Sequence, residues 1–405
     1  MSVKLFSDFS ATAKDLLDTL SKQKLRPDNK KVLRRCFKLV DAARLLDLSE
    51  SYLRKLEAEG KLPKRCVHEG ASYPSWSLEQ INEIRDVLNR NPYRVLETDS
   101  AVRIQILNFK GGVAKTTSTL YLGQYLALKG YRVLLVDLDP QASLTSQFFV
   151  DPDEYIQDDN GDEVPKFKTL APFLCGDVAS LEDAENSQPF VYKTHWPRLD
   201  IIPSNLGLNR AEFELPSMQA RDNTFEFWSL LDKGLSSIEH DYDIIIMDTP
   251  PSLSYVTING VWAATAMIVP IPPAILDLSS ARQFFEMLSQ VLEPIQNSSG
   301  IIKEYDFIRL LISKFDGQAH SREIAGWIRK LWGTYALDHH MANTTVINAA
   351  GVEMTTVYEM QKYDGNNATF KRARELLDGV NSEIEQQIRL CWPSQHEAAQ
   401  KSVVL

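Results

Sequence analysis

The sequence predicts an α/β protein in which a parallel, doubly wound sheet domain follows a small, mostly helical unit. Three observations lead there. Apolar runs at 102–107, 132–136 and 242–247 are short, and helix-length stretches separate them, the pattern of strands covered on both faces. The loops after these runs carry Gly111 and Gly112, then Asp137 and Asp139, then Asp248, at the strand ends where an open parallel sheet gathers its ligands. Residues 36–90 instead hold apolar positions at helical spacing.

Residues 1–30 read as an N-terminal helix. Leu5, Phe9, Ala13, Leu16, Leu17 and Leu20 recur at near-helical spacing, a stripe that suits packing on the chain's own core or dimerisation with a second copy. Residues 31–92 form a small domain. Its first helix draws on Phe37, Val40, Ala43, Leu45, Leu46 and Leu48, and Ser49 is an N-cap for a second helix, Glu50 to Glu59, that stops at Gly60. A strand-turn-strand wing ends near Tyr73-Pro74, and a third helix runs from Ser77 to Leu88. Two helices on a short turn, the second carrying Ser51, Tyr52, Arg54 and Lys55, suit a helix-turn-helix that reads the major groove. Residues 31–65 hold ten Lys/Arg, Lys64 and Arg65 among them, against five Asp/Glu. The whole chain has a formal net charge of −10, so contact with DNA has to come from local patches of this kind. The solvated face of a helical adaptor would carry the same charge. The unit is similar to winged, MerR-like helix-turn-helix domains.

Residues 93–100, in a polar stretch that begins at Asn89 and contains Pro92, are a linker. The sheet domain spans 101–390. After the third strand it alternates strand 266–271, helix 278–292, strand 307–313 and helix 322–332, and it closes with a helix at 368–389. The acidic run from Asp151 to Glu163 reads as an exposed loop, and 391–405 as a tail.

Chemistry concentrates at residues 109–117. A loop passing from a strand into a helix aims backbone N–H groups and the positive end of the helix dipole at one point, where polyphosphate can sit. Against the pattern G-x-x-x-x-G-K-[ST], Lys115 is the lysine that reaches the β/γ-phosphates and Thr116 supplies the hydroxyl for Mg²⁺. The two pattern glycines are Phe109 and Ala114 here, with Gly111 and Gly112 between them.

Lys110-Gly111-Gly112-Val113-Ala114-Lys115-Thr116-Thr117, read with Asp137–Gln141, Leu199–Asn205 and Ile246–Pro251, resembles the deviant-Walker ATPases of the ParA/MinD superfamily. Within it, the resemblance is to the long ParA-type plasmid partition proteins, over roughly residues 100–380. The resemblance implies a P-loop ATPase domain that uses ATP and Mg²⁺, with residues 110–117 around the nucleotide. Asp248 would hold the metal through water, and Asp139 would orient or deprotonate the attacking water. Asp137 would serve the metal's outer shell or cap the following segment, and both roles stay open. Lys110 would reach across a homodimer to the partner's nucleotide, against the plainer reading of an exposed lysine beside a turn. Ala114 stands where the family has glycine; it adds a methyl and gives up easy access to positive φ.

The implied function is DNA partition: the ATP-bound dimer binds DNA non-specifically, and the N-terminal domain binds operator DNA. A centromere-binding ParB-type partner would stimulate a hydrolysis that is weak alone. Lys371, Arg372 and Arg374, with Lys314 and Arg322, are the basic residues late in the domain to which the resemblance points, although an exposed helix face would look the same. A nucleotide-switched transcriptional regulator shares every motif. The other readings lack support. No window approaches the ~18 apolar residues of a membrane span, and residues 1–26 lack the apolar core of a signal peptide. A MinD-like membrane helix is disfavoured by Pro393 and the lack of an apolar face after Cys391. Cys36, Cys66, Cys175 and Cys391 are widely spaced and form no C-x-x-C pair, so neither a disulfide framework nor a zinc site is indicated, and an iron-sulfur cluster bridging two chains is disfavoured because only Cys175 and Cys391 lie in the sheet domain and the tail after it. The expected location is cytoplasmic, on the nucleoid.

Overall fold

A computed structural model describes residues 4–9, 11–13, 16, 19, 31–68, 72–150, 154–157, 161, 163–182, 189–361 and 365–395. In chain order the strands are β1 (Val102–Ile106), β2 (Val133–Asp137), β3 (Tyr155–Gln157), β4 (Glu163–Pro165), β5 (Tyr192–Lys193), β6 (Leu199–Ile202), β7 (Ile244–Asp248), β8 (Ala266–Ile271), β9 (Phe307–Phe315) and β10 (Ala336–Ala342). Eight of them form one sheet in the order β10-β9-β8-β1-β7-β2-β6-β5, parallel except for β5 against β6, while β3 and β4 make a separate antiparallel hairpin. β1, β2, β6, β7 and β8 are buried along their whole length, so helices must cover both faces. Alternation along β7 decides which helix meets which side chain. Ile244 and Ile246 join a core with the Lys115–Lys129 and Asn367–Leu390 helices. Ile245 and Met247 face the Leu230–Ile238 and Tyr255–Ala263 helices.

The predicted fold class is the observed one, with instructive differences. The three strands expected to bear the chemistry are neighbours, β1, β7 and β2. The last helix after the sheet is preceded by β10 and a Thr345–Val352 helix, neither foreseen, because His339, His340 and the small residues of this stretch dilute the apolar periodicity. The acidic run at 151–163 is not simply a loop, since its described part contributes to the β3–β4 hairpin. Near the N-terminus, residues 4–9 and 11–13 are helical, and Leu5, Phe9 and Leu16 are exposed; Leu17 and Leu20 lie outside the described residues.

The small unit contains the helices Leu39–Leu46, Glu50–Ala58 and Leu78–Val87. Ser49 caps the second by accepting from the N–H of Tyr52, and Ser77 with Gln80 closes a capping box on the third. Where the wing is expected, the described residues show an antiparallel bridging pair, Cys66 with Ser75, beside a second pair, Phe37 with Trp76; residues 69–71 lie outside them.

Buried polar contacts join this unit to the sheet. Arg85, 1% exposed, donates to the carbonyl of Leu128 at 2.6 Å, at the C-terminal end of the Lys115–Lys129 helix. Arg198 donates to Gly130 O, Asn91 Oδ1 and Asp86 Oδ1. The expected linker is no free tether, because Arg94 is buried against Asp243, Tyr242 O, Glu239 O and Asp99 O. The expected tail is likewise docked as far as it is described. Trp392 is 1% exposed and donates to Ser100 O, and Ser394 donates to Asp99. Residues 396–405 lie outside the described set.

Glu359 is the hub of a second junction. It accepts from His195 Nε2, Trp196 Nε1, Thr355 and the N–H of Thr356, and pairs with Lys31 at 3.1 Å. Burial pushes its carboxyl upward, but the hydrogen bonds from His195 and Trp196 and the charge of Lys31 outweigh this and hold it at about 2. Burial keeps His195 below its ordinary value, in keeping with a buried Nδ1 that has no partner to take a second proton. Both shifts act in one sense on stability. The contribution of Glu359 is full above its ordinary 4.5 and is lost as pH falls towards 2, and that of neutral His195 fades as pH falls below 6.5. Glu359→Gln leaves Lys31 without its buried counter-charge and should lower the unfolding free energy by about 3 kcal/mol at neutral pH in a urea titration.

Candidate functional site

Parallel register sets the site. β7 lies between β1 and β2, with Asp248 opposite Ile106 on one side and Asp137 on the other. Two aspartates thus stand side by side at adjacent strand ends, both fully buried. The chain after β1 turns back over them as residues 107–114 before entering the Lys115–Lys129 helix.

The turn is held by Asn108, whose Nδ2 donates to Pro270 O at 2.8 Å and whose Oδ1 accepts the N–H of Lys110 at 3.0 Å. Gly112 has φ +70 and faces open space apart from Lys314, whose Nζ lies 4.0 Å from where a β-carbon on this glycine would stand. Ala114 also has positive φ, at 74°, directly before the helix. The loop thus takes the left-handed turn that glycine would favour and carries a methyl through it. Val113 is buried beneath, and Gly111 and Thr117 flank the turn.

Lys115 reaches back and donates to Lys110 O at 3.2 Å, closing the loop into a ring around its own ammonium. Burial lowers its pKa, and the charges of Asp248 and Asp139 oppose the shift. Thr116 Oγ1 donates to Asp248 Oδ2 at 2.6 Å, and Thr119, on the same helix face one turn on, donates to Oδ1 at 3.4 Å. Asp137 accepts from the N–H and hydroxyl of Thr145 at 2.9 and 2.7 Å and from the N–H of Asp139 at 3.0 Å. These bonds fix the start of the segment after β2. Burial raises the pKa of both carboxyls; the charge of Asp137 adds to the rise at Asp248, and that of Asp139 to the rise at Asp137. Asp139 is half-buried at the mouth; its Oδ1 accepts the N–H of Gln141.

Lys110 forms an ion pair with Asp277 Oδ1 at 2.9 Å, in the first turn of the Ile275–Ser299 helix. Within one chain its ammonium has a counter-charge, so it is not a bare surface lysine. Reading residue by residue missed Asn108, Thr119, Thr145 and Asp277. Only Thr119, three residues after Thr116 on a helix, left a trace in the spacing.

The residues can seat a triphosphate with a divalent ion. A glycine-lined cradle opens over the helix N-terminus, Lys115 supplies charge, and a hydroxyl and a carboxylate oxygen lie in contact where hard oxygen ligands are needed. Among the described residues no group of three or more His, Cys, Asp or Glu could hold a metal by itself, so nucleotide and water oxygens would complete the shell.

The other expected contact residues lie elsewhere. Ser51, Tyr52, Arg54 and Lys55 are exposed on the Glu50–Ala58 helix, as is Lys64 just beyond it. Arg65 is engaged internally, pairing with Glu57 at 2.8 Å and stacking on Trp76. Lys371 and Arg372 are exposed and Arg374 half-buried on the Asn367–Leu390 helix, and Arg322 is exposed on the Ala319–Trp332 helix.

A family model described as an AAA domain matches residues 101–301. Protein SopA of Escherichia coli is 32% identical over 371 residues, 88% of this chain and 89% of that one. Chromosome partitioning protein ParA of Caulobacter vibrioides is 28% identical over 297 residues, 72% of this chain and 96% of that one. A solved structure called Partition Protein superposes with a TM-score of 0.65 at 18% identity, covering 96% of this chain and 99% of its own.

The left-handed turn at Ala114 sets a testable balance. The turn costs an L-residue about 1–2 kcal/mol. Glycine would remove that cost but adds about 0.5–1 kcal/mol of chain entropy and gives up part of a methyl's ~0.8 kcal/mol of burial. Ala114→Gly should therefore change stability by less than about 1 kcal/mol. Ala114→Val, β-branched at positive φ, should lower it by about 2 kcal/mol in the same denaturant titration.

Proposed function

Because this chain belongs to the ParA-type partition ATPases, we propose that nucleotide-dependent pairing of two copies controls its hold on DNA. The observation that carries the reading is the Thr116–Asp248 contact beneath a loop closed around Lys115. Lys115 would hold the β- and γ-phosphates, and the backbone N–H groups of residues 110–117 would cradle them. Thr116 and, through water, Asp248 are the residues that would hold Mg²⁺, which supplies charge neutralisation at the phosphate oxygens. Asp139, at the mouth, has an oxygen free of partners among the described residues and would orient the attacking water.

Lys110 would exchange Asp277 for the phosphates of the partner copy. One ion pair inside the chain would thereby become one across the dimer, and only the triphosphate offers enough charge to favour the exchange. The exposed Leu5, Phe6, Phe9 and Leu16 of the N-terminal helix favour its use in pairing copies over packing on its own chain. The dimer would present Arg322, Lys371, Arg372 and Arg374 to DNA phosphates, giving sequence-independent, salt-sensitive binding. The Glu50–Ala58 helix, with Tyr52, Arg54 and Lys55 outward, would read operator DNA. A ParB-type protein bound at a centromere-like site would stimulate hydrolysis, and the chain would reside in the cytoplasm on the nucleoid. No described helix is long and apolar enough to cross a membrane.

The test is DNA affinity against salt with ATP, ADP and no nucleotide, on random DNA and on the upstream region of the protein's own gene. Binding to random DNA should require ATP, and Lys110→Gln should bind ATP yet fail to dimerise in sedimentation. Replacing Lys371 and Arg372 together by alanine should lower the salt slope by about two per protomer without changing ATP turnover in the absence of DNA. Equal affinity in all three nucleotide states would overturn the switch.

A further inference from the structure

We propose that Lys314 is a phosphate ligand of the nucleotide site and not a DNA contact, an assignment that rests on the nucleotide reading above. Its place in the sheet is irregular. β9 pairs with β10 through Ile312 with His340 and then Phe315 with Ala342, so β9 spends one more residue than its partner over this interval. That extra residue is a β-bulge, a device that turns a side chain away from its regular direction and is common beside active sites.

Lys314 itself has φ 51°, a left-handed conformation that glycine tolerates and lysine does not favour. The strained bulge aims the ammonium at the phosphate loop, where Nζ lies 4.0 Å from the position a β-carbon on Gly112 would take. Gly112 has no side chain to obstruct the space between them. Among the described residues no carboxylate pairs with Lys314, whereas Lys110 has Asp277 and Lys115 has the loop carbonyl and nearby aspartates. A cation held by a strained backbone over a cradle of N–H groups, with no anion of its own, is placed for one that arrives. Phosphate oxygens held by residues 110–117 are the anion within its reach.

The experiment measures MgATP affinity by calorimetry on the full-length chain without DNA, for wild type, Lys115→Ala, Lys314→Gln and Lys314→Gly. DNA affinity against salt is then measured at saturating ATP. Loss of one charge-assisted hydrogen bond should weaken ATP binding by Lys314→Gln about tenfold or more, with the DNA salt slope unchanged. Lys314→Gly removes both the ammonium and the strain, so it should lose ATP affinity equally while melting at a higher temperature, a combination that misfolding does not produce. Unchanged ATP affinity in Lys314→Gln, with Lys115→Ala impaired, overturns this assignment alone, and a DNA salt slope lower by about one would return Lys314 to the DNA surface. Absence of ATP binding by the wild-type chain overturns the nucleotide reading and this assignment with it.

Discussion

Two carboxyls buried side by side are the constraint around which the sheet's upper edge is built. Asp137 and Asp248 are brought together by the register of β2 on β7, and neither touches water. Such a pair is costly unless each oxygen finds a donor or a cation. Thr145 and the backbone of Asp139 serve one carboxylate, and Thr116 and Thr119 serve the other, with Lys115 close by. The start of the phosphate-loop helix and the turn after β2 are thus fixed by one electrostatic requirement. A chain that met it wholly with protein donors would have little use for a ligand; here burial still raises the pKa of both carboxyls, leaving a deficit of positive charge.

That deficit gives the three lysines different tasks. Lys115 sits inside the loop, Lys110 is paired with Asp277 at the rim, and Lys314 approaches from a bulge on β9. Lys110 and Lys115 follow β1 and Lys314 lies on β9, on the far side of β8, so a bound triphosphate would add a link between β1 and β9. The groups that would meet a bound nucleotide thus lie on both sides of β8.

Much of this was legible in the sequence, for physical reasons. Strands buried on both faces leave uninterrupted apolar runs, and capping leaves Ser49 and Ser77 at fixed offsets, so β1, β2, β7 and the helices of the small unit could be placed within a residue or two. Contacts that depend on register or long-range packing left no local mark. Nothing near Lys110 announces Asp277, 167 positions away, and a lysine in the run Ile312-Ser313-Lys314-Phe315 reads as an ordinary strand end until the pairing with β10 reveals the bulge. Polar composition likewise marked residues 89–100 as a linker, yet Arg94 and Asp99 are polar because they satisfy buried partners.

Arg85 has a consequence for how the chain can be divided. The helix whose first residues would grip phosphate is 15 residues long, a rod of roughly 22 Å, and its far end is stoppered by a guanidinium from the small N-terminal unit. Excising that unit would leave the carbonyl of Leu128 uncapped and open the space against which Gly130 is packed, at the negative pole of the helix. The small unit and the sheet domain are therefore joined by a buried polar contact at the end of this helix.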